Sequence, residues 1–307
     1  MTAHPDPGQT VLVITGPTAA GKTPVGIQLC QRLGGELINA DAMQIYRGMD
    51  IGTSKPDRGE RAGVSHHLID IRDPSDSFSV AEYVAEAANC IREIQGRGRV
   101  AVICGGTGLY VQSLMEGLSF HPHARDEVIR RRLESIADND GLSSLLEQLR
   151  KIDPETAGRL NVHDRRRIIR SLEVFEVTGQ TAAQLRALSR KQGTPFSFSA
   201  YCLTLDRPAL YARIDSRVDR MIQDGLVEEA ARILASCPGP TARQAIGYKE
   251  FIPYFENKAS LKDVTDRINQ STRNYAKRQL TWFRHMGTLS WLDNSSPGQT
   301  VETILTT

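Results

Sequence analysis

The chain has 307 residues, 40% of them hydrophobic and 24% charged, and a net charge of +2. This composition excludes a disordered polar chain or a fibrous repeat, and no apolar run approaches the roughly 18 residues that a membrane helix requires. Five scattered cysteines (Cys30, Cys90, Cys104, Cys202, Cys237) form no CxxC pair, and the start has neither the basic nor the apolar segment of a signal peptide, so a reduced, cytoplasmic protein is expected.

Charge is uneven along the chain. Residues 1–120 hold 10 Lys+Arg against 13 Asp+Glu, residues 121–195 hold 14 against 11, and residues 241–285 hold 9 against 4. The two basic segments suggest a polyanionic partner; a solvated basic surface is the plainer alternative.

After a short polar leader, the β-branched run Thr10–Thr15 predicts a buried parallel strand. Apolar periodicity from Pro24 to Leu33 predicts a helix stopped by Gly34-Gly35. Glu36–Asp41 and Arg99–Cys104 are further strands, with a helix from Val80 to Gln95 between them. From Arg125 to about Lys191 the periods are helical throughout. Gly193-Thr194-Pro195 then breaks the chain, Ala200–Leu205 returns as a strand, and Arg207–Arg284 is mostly helical. The expected organisation is a catalytic core of residues 1–118 and 199–285, a helical insertion of 119–198, and a weakly ordered tail of 286–307.

Gly16-Pro17-Thr18-Ala19-Ala20-Gly21-Lys22-Thr23 matches GxxxxGK[ST] between a predicted strand and a predicted helix. Its glycines let backbone N–H groups turn toward an anion, and the helix N-terminus adds partial positive charge. Lys22 would neutralise phosphate charge, and the Thr23 hydroxyl could reach a phosphate oxygen or Mg2+. The expected fold is therefore α/β, a P-loop NTPase-like parallel sheet flanked by helices, with an all-helical insertion domain. An ordinary phosphate-loop NTPase also carries an acid at the end of another strand to hold Mg2+. Here Val100–Ile103 runs into Cys104-Gly105-Gly106 with no acid. The loop thus suits a pyrophosphate that leaves; an ATP-dependent small-molecule kinase is the alternative. The acid that does follow a strand is Asp41, where ligands of parallel sheets bind. By position it suits a general base, a metal ligand or a helix cap.

The chain resembles the bacterial tRNA dimethylallyltransferases. The resemblance is carried by GPTAAGKT (Gly16–Thr23), NADAMQIYRGMDIGTSKP (Asn39–Pro56), HHLID (His66–Asp70), GGTGLY (Gly105–Tyr110), RIDSRV (Arg213–Val218), AIGYKE (Ala245–Glu250) and TRNYAKRQLTWFR (Thr272–Arg284). These enzymes prenylate N6 of adenosine 37 beside the anticodon. The resemblance implies that the phosphate loop holds dimethylallyl diphosphate with Mg2+, that Asp41 is the base for the adenine amine, and that Thr23 and Arg217 steady the departing pyrophosphate. It implies tRNA contacts at Asp41, Ala42, Met43 and Gln44, at Thr107, at Arg130, and at Arg166, Arg167, Ile168, Ile169 and Arg170. Gln244, Ala245, Ile246, Gly247, Tyr248 and Lys249 are implied likewise, as are Lys277, Arg278, Gln279, Leu280, Thr281, Trp282, Phe283 and Arg284. The implied protein is a monomer whose insertion embraces the anticodon stem-loop. Ala20 and Ala42 stand where the family usually has serine, and one residue is inserted before Arg130.

Other features have plainer readings. His66-His67 and His121-Pro122-His123 lack companions at metal-ligand spacing. Tyr248, Tyr275, Trp282 and Phe283 suit base stacking or the core, and Met43 an allyl pocket or a packing gap.

Overall fold

The computed structural model describes residues 10–118 and 126–307; the polar leader and His121-Pro122-His123 lie outside them. The chain divides into two units, Met1–Met115 with Phe196–Thr307, and Glu116–Pro195.

The first unit opens with β1 (Thr10–Thr15), α1 (Lys22–Leu33), β2 (Glu36–Asn39), β3 (His66–His67), α2 (Val80–Gly96), β4 (Ala101–Cys104) and α3 (Gly108–Met115). Among the described residues of the second unit the helices are α4 (Glu127–Asn139), α5 (Leu142–Ile152), α6 (Pro154–Gly158), α7 (Arg165–Thr178) and α8 (Ala182–Gln192). The first unit resumes with β5 (Ser197–Thr204), α9 (Arg207–Gln223), α10 (Leu226–Ala235), α11 (Pro240–Arg243), α12 (Ile252–Phe255), the long α13 (Leu261–Arg284), β6 (Ser290–Asp293) and α14 (Pro297–Thr306).

The strands form one parallel sheet in the order β3-β2-β4-β1-β5-β6, the P-loop NTPase-like arrangement. Successive side chains of a strand point to opposite faces, and the central strands are apolar on both. Val11, Val13, Ile38, Ala101 and Ile103 enter one core with Ile91, Tyr110, Ala230 and Ile268 of α2, α3, α10 and α13. Ile14, Leu37, Val102 and Cys104 enter the other with Val25 and Leu29 of α1 and Val301 and Ile304 of α14. A strand sandwiched in this way reads as an unbroken apolar run, which is why β1 and β4 are plain in the sequence.

The edge strands are not. β3 is two histidines, and its pairing to β2 is supported by His67 Nε2, 2.6 Å from Glu36 Oε2. The Glu36 carboxylate is buried and also receives Arg97 at 2.9 Å and Arg99 at 3.1 Å. Burial alone would push its pKa up, but the hydrogen bonds from His67 and Arg97 hold it below the usual carboxylate range. The histidine pair thus serves the sheet through both residues and hydrogen-bonds Glu36 through His67. The expectation of a weakly ordered tail at 286–307 is corrected by β6, which pairs with β5, and by α14, whose Val301 and Ile304 are buried. These apolar residues are too few to announce a helix; packing on α1 supplies what propensity does not.

In the second unit, Leu133, Leu145, Leu146, Leu149, Ile168 and Leu172 form the core. Asp126 and Asp153 cap α4 and α6 through their side chains, and Thr181 with Gln184 forms a capping box on α8. Glu173 is fully buried and receives Arg130 at 2.8 Å, Arg170 at 2.9 Å and the Asp126 N–H at 3.1 Å. Among the described residues no helix is long and apolar enough to cross a membrane.

Candidate active site

The register brings three loops to one edge of the sheet. Ile14 stands opposite Cys104, and Asn39 opposite Cys104 on the other side, so β1, β4 and β2 end level. The Ala40 N–H donates to the Cys104 carbonyl (2.8 Å), the Gly105 N–H to the Ile14 carbonyl (3.2 Å) and the Thr107 N–H to the Ala40 carbonyl (3.0 Å). Thr15 Oγ1 adds a bond to the Gly105 carbonyl at 2.9 Å. The phosphate loop, the Asp41 turn and the Gly105–Thr107 turn are therefore one hydrogen-bonded assembly.

The phosphate loop leaves β1 through Gly16, at φ 139°, where a Cβ would run into the Leu203 carbonyl; only glycine fits there. Lys22 Nζ donates to the Pro17 carbonyl at 2.8 Å, spanning the loop. Burial, and secondarily the Arg217 guanidinium, pull the Lys22 pKa down to about 8. Arg217 Nη1 donates to Thr18 Oγ1 at 3.4 Å, and burial lowers the Arg217 pKa. An anion between these cations would relieve both.

Asp41 sits in a turn written by its neighbours. The Asn39 amide receives the Asp41 N–H at 3.0 Å and donates to the Asp41 and Leu68 carbonyls. Asp41 Oδ1 receives the Met43 N–H at 2.9 Å, and the Ala42 N–H donates to Thr107 Oγ1 at 2.9 Å. No helix starts at this turn, so the helix-cap alternative for Asp41 falls. The strand expected to reach Asp41 stops at Asn39 because that side chain captures the backbone. Through the Ala40–Cys104 and Ala42–Thr107 bonds this turn is held against the Gly105–Thr107 turn, which Ile14 and Thr15 of β1 bind beside the phosphate loop. Burial pushes the Cys104 thiol up to about 12, so that sulfur is an inert wall.

The residues implied as tRNA contacts separate by exposure. Lys277, Arg278, Thr281 and Arg284 form an exposed stripe on α13, and Gln244 is exposed. Asp41, Ala42, Met43, Gln44 and Thr107 are half-buried at the sheet edge, Lys249 and Ile246 half-buried elsewhere. Phe283, Tyr248, Ala245, Ile168 and Ile169 are buried in the two units' cores, so of the stacking and core readings of Tyr248 and Phe283 the side chains take the core one. Phe283→Ala is expected to lower stability by about 3–5 kcal/mol, the cost of emptying a buried aromatic site, read from the denaturant midpoint. Leu280 and Trp282 are half-buried against neighbouring helices. In the second unit Arg166 and Arg167 are exposed, whereas Arg130 is engaged by Glu173.

Gln279 is also buried, and its amide bridges two loops of the site. Its Oε1 receives the Thr18 N–H at 2.8 Å and its Nε2 donates to the Gly106 carbonyl at 2.7 Å. It joins the phosphate loop to the Gly105–Thr107 turn. The sequence marks Tyr275 only as a stacking or core candidate and does not single out Asn294 or Glu229 at all. Tyr275 feels the Asp41 carboxylate and is itself buried enough to raise its pKa. Asn294 bonds to the Ala20 carbonyl at 2.7 Å. Glu229 is buried and receives the Asp50, Ile51 and Gly52 N–H groups at 2.9–3.0 Å and the Tyr248 hydroxyl at 2.7 Å, fixing the loop that follows the Asp41 turn. Asn294 and Glu229 come from segments remote in sequence, and no spacing rule marks them.

Fold and site together define an α/β phosphate-loop protein whose acid follows β2 and not the strand beside the loop. The family model for IPP transferases matches residues 44–286. The tRNA dimethylallyltransferase of Geobacillus thermodenitrificans is 43% identical over 94% of this chain and 92% of its own, and that of Bacillus cereus is 44% identical over 96% and 93%. Among solved structures, the full-length tRNA isopentenylpyrophosphate transferase from Bacillus halodurans is 39% identical, with a TM-score of 0.71 over 97% of this chain and 96% of that one. A eukaryotic dimethylallyltransferase captured acting on tRNA is 29% identical, with a TM-score of 0.80 over 95% of this chain and 75% of that one. The chain belongs to the IPP transferase family. That membership, and not the loop alone, separates it from the small-molecule kinases that share the loop.

Proposed function

We propose that this protein transfers a dimethylallyl group from dimethylallyl diphosphate to N6 of adenosine 37 beside the anticodon of tRNA, releasing pyrophosphate. The observation that carries the reading is that Lys22 and Arg217 both hold the phosphate loop, at Pro17 and Thr18, while the Asp41 turn is hydrogen-bonded into the same end of the sheet, in a chain of this family.

Adenine N6 is a weak nucleophile, so the allylic carbon must become strongly electrophilic. As its C–O bond breaks, positive charge spreads over the allyl group and negative charge collects on the diphosphate. The loop's free backbone N–H groups, Lys22 and Arg217 would face that negative charge and stabilise the transition state. N6 then bonds to the allylic carbon, and Asp41 takes the proton that N6 loses. The target base must leave its stack to reach the site, which costs least in an unpaired loop.

Among the described residues there is no cluster of three or more His, Cys, Asp or Glu able to cage a metal. Mg2+ keeps its waters and is held largely by substrate phosphates, so it would need little from the protein beyond the Thr23 hydroxyl. When bound, Mg2+ would neutralise charge on the leaving diphosphate. Five free cysteines suit a reducing compartment, and we read the working form as a cytoplasmic monomer.

The exposed α13 stripe would bind tRNA phosphates, with Arg166 and Arg167 serving the same end in the second unit. Phosphate contacts release counterions, so binding weakens with salt. Lys277→Ala combined with Arg278→Ala is expected to weaken tRNA binding and to reduce the slope of log K against log salt by about one to two. An unchanged affinity and slope in a filter-binding titration would move the tRNA site elsewhere. The activity itself is tested by incubating the protein with dimethylallyl diphosphate, Mg2+ and unmodified tRNA and then analysing the nucleosides by mass. Prenylated adenosine supports the reading; its absence with both substrates bound defeats it.

A further inference from the structure

The backbone of the phosphate loop is held from outside by a residue of the C-terminal segment. Asn294 follows β6 directly. Its N–H donates to the Thr204 carbonyl at 2.8 Å, carrying the β5–β6 pairing one residue further. Its side chain is fully buried. Nδ2 donates to the Ala20 carbonyl at 2.7 Å, with the Gly21 carbonyl farther off at 3.5 Å. Oδ1 is buried and has no donor among the described residues. Turning the amide over would set that oxygen against the Ala20 carbonyl, acceptor against acceptor, so the loop dictates the orientation seen.

The loop needs such a restraint. Ala19 at φ 66° and Gly21 at φ 80° both lie in the left-handed region, which a non-glycine residue occupies only when its surroundings hold it there. A Cβ on Gly21 would stand 2.7 Å from Asn294 Nδ2, so the close approach of this amide requires glycine. In a trans peptide the carbonyl and the following N–H point in opposite directions. Tying the Ala20 carbonyl to Asn294 therefore aims the Gly21 N–H the other way, and it makes no bond to the described backbone. The anchor is itself rigid, because α14 packs Val301 and Ile304 against Val25 and Leu29 of α1.

We propose that Asn294 is a positioning residue for the donor diphosphate: by pinning the Ala20–Gly21 peptide it keeps the loop's N–H groups aimed at the leaving group. The inference rests on the reading that this loop holds an allylic diphosphate. It does not depend on which nucleophile receives the allyl group.

The test uses the full chain with Asn294→Ala and Asn294→Asp. Inorganic pyrophosphate with Mg2+ is titrated calorimetrically, the KM for dimethylallyl diphosphate is measured at saturating tRNA, and tRNA affinity is measured separately. Asn294→Ala is expected to raise both the pyrophosphate Kd and the donor KM about 10-fold, the worth of one buried hydrogen bond, with tRNA affinity unchanged. Asn294→Asp keeps the shape but offers the Ala20 carbonyl no donor and adds a negative charge near the diphosphate, so its effect should be larger. If the alanine variant does not fold, the aspartate variant decides by the same constants. Wild-type values for both constants would overturn the inference, as would a loss of tRNA affinity equal to the loss of pyrophosphate affinity, which marks general collapse. If the pyrophosphate Kd depends on Asn294 but the wild type prenylates no tRNA, the inference stands and the proposed function falls.

Discussion

Asp41→Asn is expected to lower kcat by about 10²–10⁴-fold, the range for loss of a general base, while donor and tRNA affinities change little. The substitution is selective because of the local geometry. Asp41 Oδ1 receives the Met43 N–H, and the Asn39 amide holds the Asp41 backbone on both sides. Asparagine retains the accepting oxygen, so the turn survives and only basicity is lost. N6 parts with its proton once bonding to the allylic carbon has begun, so the carboxylate helps the transition state more than the ground state. That predicts an effect on kcat with KM nearly constant. Single-turnover rates at saturating substrates check it. A variant that instead lost Mg2+-dependent donor affinity and regained its rate at high Mg2+ would make Asp41 a metal ligand.

Lys22→Ala should reduce transfer by about 10²–10³-fold, by analogy with removal of one preorganised donor from an oxyanion site. Lys22 spans the loop to the Pro17 carbonyl and faces Arg217, so its charge is concentrated where the diphosphate would sit. The depressed pKa adds a pH signature. Burial brings the Lys22 pKa to about 8 in the donor-free protein, and a bound polyanion favours the charged form and raises it again. Below that pH the ammonium is charged before binding and donor affinity is flat. As pH rises above it, donor binding must be accompanied by proton uptake, so the wild-type donor KM should climb. The alanine variant should lose that climb along with most of its activity. A variant with wild-type rates at saturating donor would place the donor site elsewhere.

The central sheet was legible because β1 and β4 are apolar on successive residues and run into glycine, and because β5 is apolar from Ala200 to Leu203, although its start at Ser197–Ser199 was not. The phosphate loop was legible because its chemistry requires glycines and a lysine at set positions. Asp41 was visible as an acid after a strand, yet its three alternative roles stayed open until the Asn39 turn and the absence of a following helix removed one of them. The arginines and lysines of α13 were visible as a basic run, but which of them reach solvent was decided by the helix's buried stripe of Ile268, Ala276, Gln279 and Phe283.

By itself, then, the sequence determined the sheet's central strands, the phosphate loop and the family to which the chain belongs, because each is written in contiguous residues or in fixed spacings. Only the tertiary structure decided that residues 290–306 complete the sheet and its outer layer, that Gln279 and Asn294 grip the phosphate loop at 2.8 and 2.7 Å, and that Glu229 gathers three backbone N–H groups. Those contacts join residues more than 170 positions apart. A buried polar side chain is given its role by the partner that folding brings to it, and that partner leaves no periodicity in the chain around either residue.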